Sequence, residues 1–258
     1  MLYQTKEYFK FLLQSKNQHG IHSPFVFDLI TKCFYKKTEL ASYNNFLRYK
    51  NKLLANKNFI KVTDFGAGST VFKSDKRQIS KIARIAGISN KKAKLLIRFV
   101  TYFQPKNSLE IGTSLGLGTA SLYLGNPKSK IITLEGCAKT ADIAQEAFNQ
   151  FNFKNIHLFR GDFTNTLPIV NKDHTFDLVY FDGNHKKKAT LNYFESCLEK
   201  IHPNTIFIFD DIHWSKEMTA AWQTIKKHPK VTVTIDNFFW GIVFFREEQA
   251  KEHFIIRV

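Results

Sequence analysis

The chain has 258 residues, 43% of them hydrophobic, with 26 Phe and a formal net charge of +16. That length supports one large core, or a core with an appendage. No apolar run approaches the roughly 18 residues of a membrane span, and no basic-then-apolar leader opens the chain, so a cytoplasmic protein is expected. Cys33, Cys137 and Cys197 are odd in number and widely spaced, which fits reduced thiols rather than a disulfide framework or a zinc site.

The charge is unevenly divided. Residues 1 to 107 hold 21 Lys and Arg against 5 Asp and Glu, whereas residues 108 to 258 hold 17 of each. All of the excess therefore precedes residue 108. Such asymmetry suits an anionic partner, nucleic acid among them. Lys outnumbers Arg 31 to 7, and Arg is the preferred phosphate fork, so solvated lysine faces explain the same numbers.

The first part of the chain predicts helices. Tyr3 to Lys16 carries Tyr8, Phe9, Phe11, Leu12 and Leu13 near helical spacing. Ser23-Pro24 is a cap and first-turn pair opening a second helix. Leu40 to Leu54, Asp75 to Ala86 and Asn90 to Phe103 follow. His19 and His22 bracket a turn and are expected to be structural. Val62 to Ser69, with Asp64-Phe65-Gly66-Ala67-Gly68, resembles a cofactor loop, but no acid-terminated strand follows it at the right distance. It is expected to lid a site or pack beside one. Pro105 ends the helical part, giving a boundary at 106/107.

From Asn107 the pattern becomes strand, helix, strand, helix. Asn107 to Ile111 is an apolar strand entering the turn Gly112-Thr113-Ser114-Leu115-Gly116, and the helix behind it offers amides to an anionic group. Lys130 to Leu134 is a second strand closed by Glu135 and Gly136, an acid placed to accept from both hydroxyls of a ribose. Ile156 to Phe159 ends at Gly161-Asp162, Phe176 to Phe181 at Asp182, and Thr205 to Phe209 at Asp210-Asp211. Val231 to Ile235 and Trp240 to Phe245 are the last two predicted strands. The expected fold is α/β, a Rossmann-like doubly wound sheet of seven mostly parallel strands, the last antiparallel, behind a helical extension.

Glu110-Ile-Gly-Thr-Ser-Leu-Gly, Glu135, Gly161-Asp162 and Phe176-Asp-Leu-Val-Tyr-Phe-Asp182-Gly183 resemble the motifs of class I S-adenosylmethionine-dependent methyltransferases. The nearest likeness is to the catechol O-methyltransferase-like branch, over about residues 105 to 246. The resemblance implies S-adenosylmethionine on Glu110, Gly112, Thr113, Ser114, Gly116, Glu135, Gly136, Gly161, Asp162 and Asp182. It also implies Mg²⁺ or Ca²⁺ on Asp182, Asp210 and Asp211, where the branch has an Asp-Asn pair instead of Asp210-Asp211. The branch's catalytic lysine falls on His185, so His185 with Asp182 is the expected catalytic pair. The sequence lacks Asn/Asp-Pro-Pro-Tyr/Phe for exocyclic amines and Pro-Cys for ring carbons. Oxygen of a small hydroxylated molecule is the preferred acceptor, with nitrogen, RNA methylation and a non-catalytic nucleic-acid-binding role left open.

Overall fold

The computed structural model describes residues 2–66, 68, 72 and 74–258. Its N-terminal part runs through α1 (Leu2–Gln14), α2 (Pro24–Leu29) continuing into a π-turn, and α3 (Leu40–Ala55). A small antiparallel hairpin follows, β1 (Phe59–Lys61) with β2 (Lys76–Gln78), then α4 (Ile79–Ile85) and α5 (Asn90–Phe103). Asp75 to Ala86 is therefore not all helix. Lys76, Arg77 and Gln78 pair with Lys61, Ile60 and Phe59 before α4 begins. Ser89 caps α5 by accepting from the Lys92 amide, and Gln104 ends it in a left-handed conformation.

The alternating part gives β3 (Asn107–Ile111), α6 (Leu117–Gly125), β4 (Lys130–Glu135), α7 (Ala138–Gln150), β5 (Ile156–Arg160) and α8 (Phe163–Asp173). It continues with β6 (Leu178–Phe181), α9 (Lys187–Leu198), β7 (Ile206–Asp210), α10 (Lys216–Lys227), β8 (Val233–Asp236), β9 (Trp240–Phe244) and β10 (Glu252–Ile255). Among the described residues, eight strands form one sheet in the order β10-β8-β9-β7-β6-β3-β4-β5. β9 is the antiparallel strand, as the sequence predicts. β10 adds an eighth, parallel to β8 at the edge. Half of its residues, Glu252 and His253, are exposed, so it lacks the apolar run that marks the other strands.

Neighbouring strand residues enter opposite cores. Leu178, Tyr180, Ile206 and Ile208 join a core with helices α3 to α7, and Val179, Phe181, Phe207 and Phe209 join another with α8 to α10. Continuous apolar runs are what a parallel sheet covered on both faces requires. The first core also takes in Val26, Tyr49, Ile82 and Leu96, so the N-terminal helices bury their apolar faces against the same sheet. From β3 the chain winds outward through β4 and β5, and from β6 outward through β7. The β3/β6 boundary is thus the switch point, where sheets of this kind open a ligand crevice.

Candidate active site

Gly112 ends β3 and Asp182 follows β6, side by side at that crevice. A Cβ on Gly112 would stand 2.6 Å from the Asp182 carbonyl oxygen, and its φ is +109°. Only glycine brings the two strand ends this close. The turn closes at Gly116, also left-handed, whose face lies against Phe148 and the Tyr49 hydroxyl. Tyr49 donates to the Leu115 carbonyl at 3.0 Å, so α3 buttresses the turn directly.

Beneath the turn lies Glu110, fully buried between Thr133 and Tyr180 on the adjacent strands. It accepts from Thr133 at 2.6 Å and from Thr119, and Thr133 in turn meets Thr113 at 2.5 Å. Burial pushes its carboxyl up to about 8, against the pull of both threonines. Its Oε1 has no hydrogen-bond partner among the described residues and sits against Gly118. A cavity of about 10 Å³ is lined by Ser114, Gly118 and Asp182 and roofed by Ala86, Gly87 and Ile88 from the α4–α5 junction. The glycine turn, the first acid after β6 and the N-terminal part therefore meet at one narrow cleft.

Glu135 holds the next strand end. Its two oxygens accept from Ser114 N at 2.6 Å and Cys137 N at 2.9 Å, while burial pushes its carboxyl upward against those amides. Gly161 donates to the Glu135 carbonyl at 2.9 Å, and Asp162 caps α8 by accepting from Thr164 N at 2.8 Å. Gly136 is covered by Phe65, whose ring lies 2.8 Å from where a Cβ would be, and Gly66 approaches Asn184 in the same way. Phe65 and Gly66 thus lie across the strand ends; Ala67 and Ser69 fall outside the described residues.

Asp182, Asp210 and Asp211 do converge, and a lysine stands among them. Lys92 Nζ lies 2.6 Å from Asp210 Oδ1 and 2.9 Å from Asp211 Oδ1. Burial works against the charge on Lys92, but the two carboxylates hold it ionised far above neutrality. Burial also works to raise Asp210, yet Lys92 keeps it below the ordinary carboxylate range. Burial and the Asp210 charge push Asp182 well up, and Asp211 rises for the same reasons. The Lys92 ammonium offsets one of the three negative charges, and the upward push on Asp182 and Asp211 favours their neutral forms. Ser215, not Asp211, caps α10, which leaves Asp211 free to face inward, in a left-handed conformation at φ +55°. His185 Nε2 is 3.9 Å from Asp182 Oδ1 and a quarter exposed.

These residues do not fit a divalent cation as arranged. Mg²⁺ takes oxygen ligands at about 2.0–2.1 Å and Ca²⁺ at about 2.3–2.6 Å, and an ammonium already fills the space between two of the carboxylates. Among the described residues no group of three or more His, Cys, Asp and Glu is arranged to hold a metal. Lys92 was not singled out by the sequence, where it is one cation in a basic stretch. The available signal was the surplus of carboxylates at the ends of β6 and β7. His213 is tied to Asp236 at 2.8 Å and stacked on Phe238, so it is structural. His19 and His22 are exposed.

Residues 109–212 match the family model of a methyltransferase domain. An O-methyltransferase of Aspergillus hancockii is 27% identical over 136 residues, 50% of this chain and 53% of that protein. The catechol O-methyltransferase of Niastella koreensis is 27% identical over 129 residues, 48% and 58% of the two chains. The chain thus spans little more than half the length of these relatives. Among solved structures, the SAH-bound methyltransferase of Podospora anserina superposes with a TM-score of 0.60 at 17% identity, covering 82% of this chain and 90% of that one. The Bacillus cereus O-methyltransferase in complex with SAH gives 0.56 at 19%, covering 80% and 91%. The fold is that of these SAH-bound methyltransferases, and residues 109–212 are similar to a methyltransferase domain.

Proposed function

We propose that this chain, built on a methyltransferase domain, moves the methyl group of S-adenosylmethionine to a hydroxyl oxygen of a small molecule. The observation that carries the reading is the side-by-side placement of Gly112 and Asp182, which follow β3 and β6, at the switch point of the sheet. A crevice there can bring a cofactor on the β3 side to an acceptor on the β6 side. The O-methyltransferase relatives support oxygen as the acceptor atom. In this reading Glu135 and Gly136 hold the ribose, Gly161 and Asp162 border the adenine, and the turn Gly112 to Gly116 takes the amino-acid end. Glu110, whose Oε1 is buried without a partner among the described residues, stiffens the turn from below.

The transfer is an in-line displacement, so the protein mainly orients and desolvates the reactants. Bound S-adenosylmethionine would supply the methyl group and leave as S-adenosylhomocysteine, and His185 would take the proton of the acceptor O–H. His185 returns the proton to solvent. Phe239 and Trp214 flank Asp211, bonded to it through Asp211 N to Phe239 O at 2.9 Å and Trp214 N to Asp211 O at 2.8 Å. Both are partly exposed, at 39% and 44%, and offer an apolar wall suited to an aromatic acceptor. Residues 1–106 act as the cap over this cleft.

The test is methyl transfer from isotopically labelled S-adenosylmethionine to a panel of hydroxylated aromatics, amines and RNA. Label in a methyl ether is the expected outcome. Label in RNA instead, weakening steeply with salt, would move the function to nucleic acid and give the basic N-terminal part its role.

A further inference from the structure

We propose that Lys92 is the resident cation of the acceptor site, occupying the position that a divalent ion would take among Asp182, Asp210 and Asp211. The inference rests on the methyl-transfer reading above and narrows it to metal-independent chemistry. Lys92 lies outside the matched methyltransferase domain, on the first turn of α5. The placement is held from several sides. Its amide is capped by Ser89, and the residues that follow, Ala93, Leu96 and Ile97, are buried in the shared core. Its ammonium also lies 5.7 Å from the Phe239 ring centroid, a cation–π distance. Asp211 reaches the ammonium only through a left-handed backbone that a non-glycine residue rarely adopts, and bonds to Phe239 and Trp214 keep it there. Side chains this enclosed, 15% exposed for Lys92 and 7% for Asp210, interact with little screening by water.

The chemistry differs from that of a metal. A divalent ion accepts several oxygens at once and can chelate a pair of adjacent hydroxyls. An ammonium is a compact charge with three N–H donors. Two of those donors meet Asp210 and Asp211. The third is left to donate to one acceptor oxygen and to favour its anionic form as the proton departs to His185. The substrate class that follows is an aromatic with a single reacting hydroxyl, for which a neighbouring hydroxyl adds nothing to binding.

The experiment uses the full chain, dialysed against chelator, with Mn²⁺ as a paramagnetic probe. Wild-type protein is expected to leave the spectrum of free Mn²⁺ unchanged and to methylate a monohydroxyl acceptor as fast after chelation as before. Lys92→Ala frees Asp210 and Asp211 beside Asp182, so it is expected to bind Mn²⁺ and to lose turnover by on the order of 10²–10³-fold, with S-adenosylmethionine binding preserved. Lys92→Arg keeps the charge and should retain more turnover than Lys92→Ala without binding Mn²⁺. Mn²⁺ binding to wild-type protein, or turnover abolished by chelator and restored by Mg²⁺, overturns the proposal. These wild-type arms decide it even if Lys92→Ala does not fold. Calorimetry with S-adenosylmethionine separates this outcome from failure of the methyl-transfer reading, because the Mn²⁺ spectrum does not depend on cofactor.

Discussion

Lys92 Nζ and Asp210 Oδ1 lie 2.6 Å apart although 118 residues separate them in the chain. The contact joins the basic N-terminal part to the end of the central strand β7. Breaking a buried pair leaves an uncompensated charge, and the usual cost is about 3–5 kcal/mol. Lys92→Met should lower unfolding stability by that amount in a denaturant titration. Lys92→Met combined with Asp210→Asn should cost less than the two changes summed. Additive losses would mean that the pair is not coupled.

A second prediction concerns the buried carboxyl under the glycine turn. Glu110 takes up a proton more readily in the folded chain, at about 8, than an unfolded glutamate does. Below the unfolded value both states are protonated and burial carries no ionisation cost. Between the unfolded value and about 8 the unfolded state releases its proton first, so stability falls as pH rises, by about 1.4 kcal/mol per pH unit in the middle of the window. Glu110→Gln should flatten that part of the stability curve. A pH slope unchanged in the variant would show that another group causes it.

The third concerns the proton. His185→Ala should reduce kcat by roughly 10²–10⁴-fold, the usual span for loss of a general base, with cofactor affinity unaltered. Its side chain is a quarter exposed and touches only the rim of the carboxylate cluster, so the fold should survive the change. A rate unaffected by the substitution would transfer the role of base to solvent or to Asp182.

The parallel sheet was legible because its strands are apolar on both faces and end in acids. Ile206-Phe-Ile-Phe-Asp210 reads as a buried strand with a polar end, and it is one. β10 was not legible, since Glu252 and His253 are exposed and only Phe254 reaches the core. The three aspartates were found because each follows a strand, and strand ends are fixed by local pattern. Lys92 could not be found that way. Its partners are set by how α5 docks on the sheet, and nothing in Asn90-Lys-Lys-Ala-Lys distinguishes an inward lysine from the exposed Lys91 beside it. Phe65 was hidden for a similar reason. It belongs to a loop whose path over Gly136 depends on the β1–β2 hairpin, an element made of exposed and half-buried residues.

S-adenosylmethionine is expected to bind across the ends of β3 and β4 with its ribose on Glu135. Titration calorimetry of S-adenosylmethionine into wild-type protein and Glu135→Ala tests it most directly. The predicted result is saturable binding to wild type and a loss of about 1–3 kcal/mol in the variant, the range for removing one partner of a buried polar contact. No binding to wild type, or equal affinity in the two proteins, would rule this placement out.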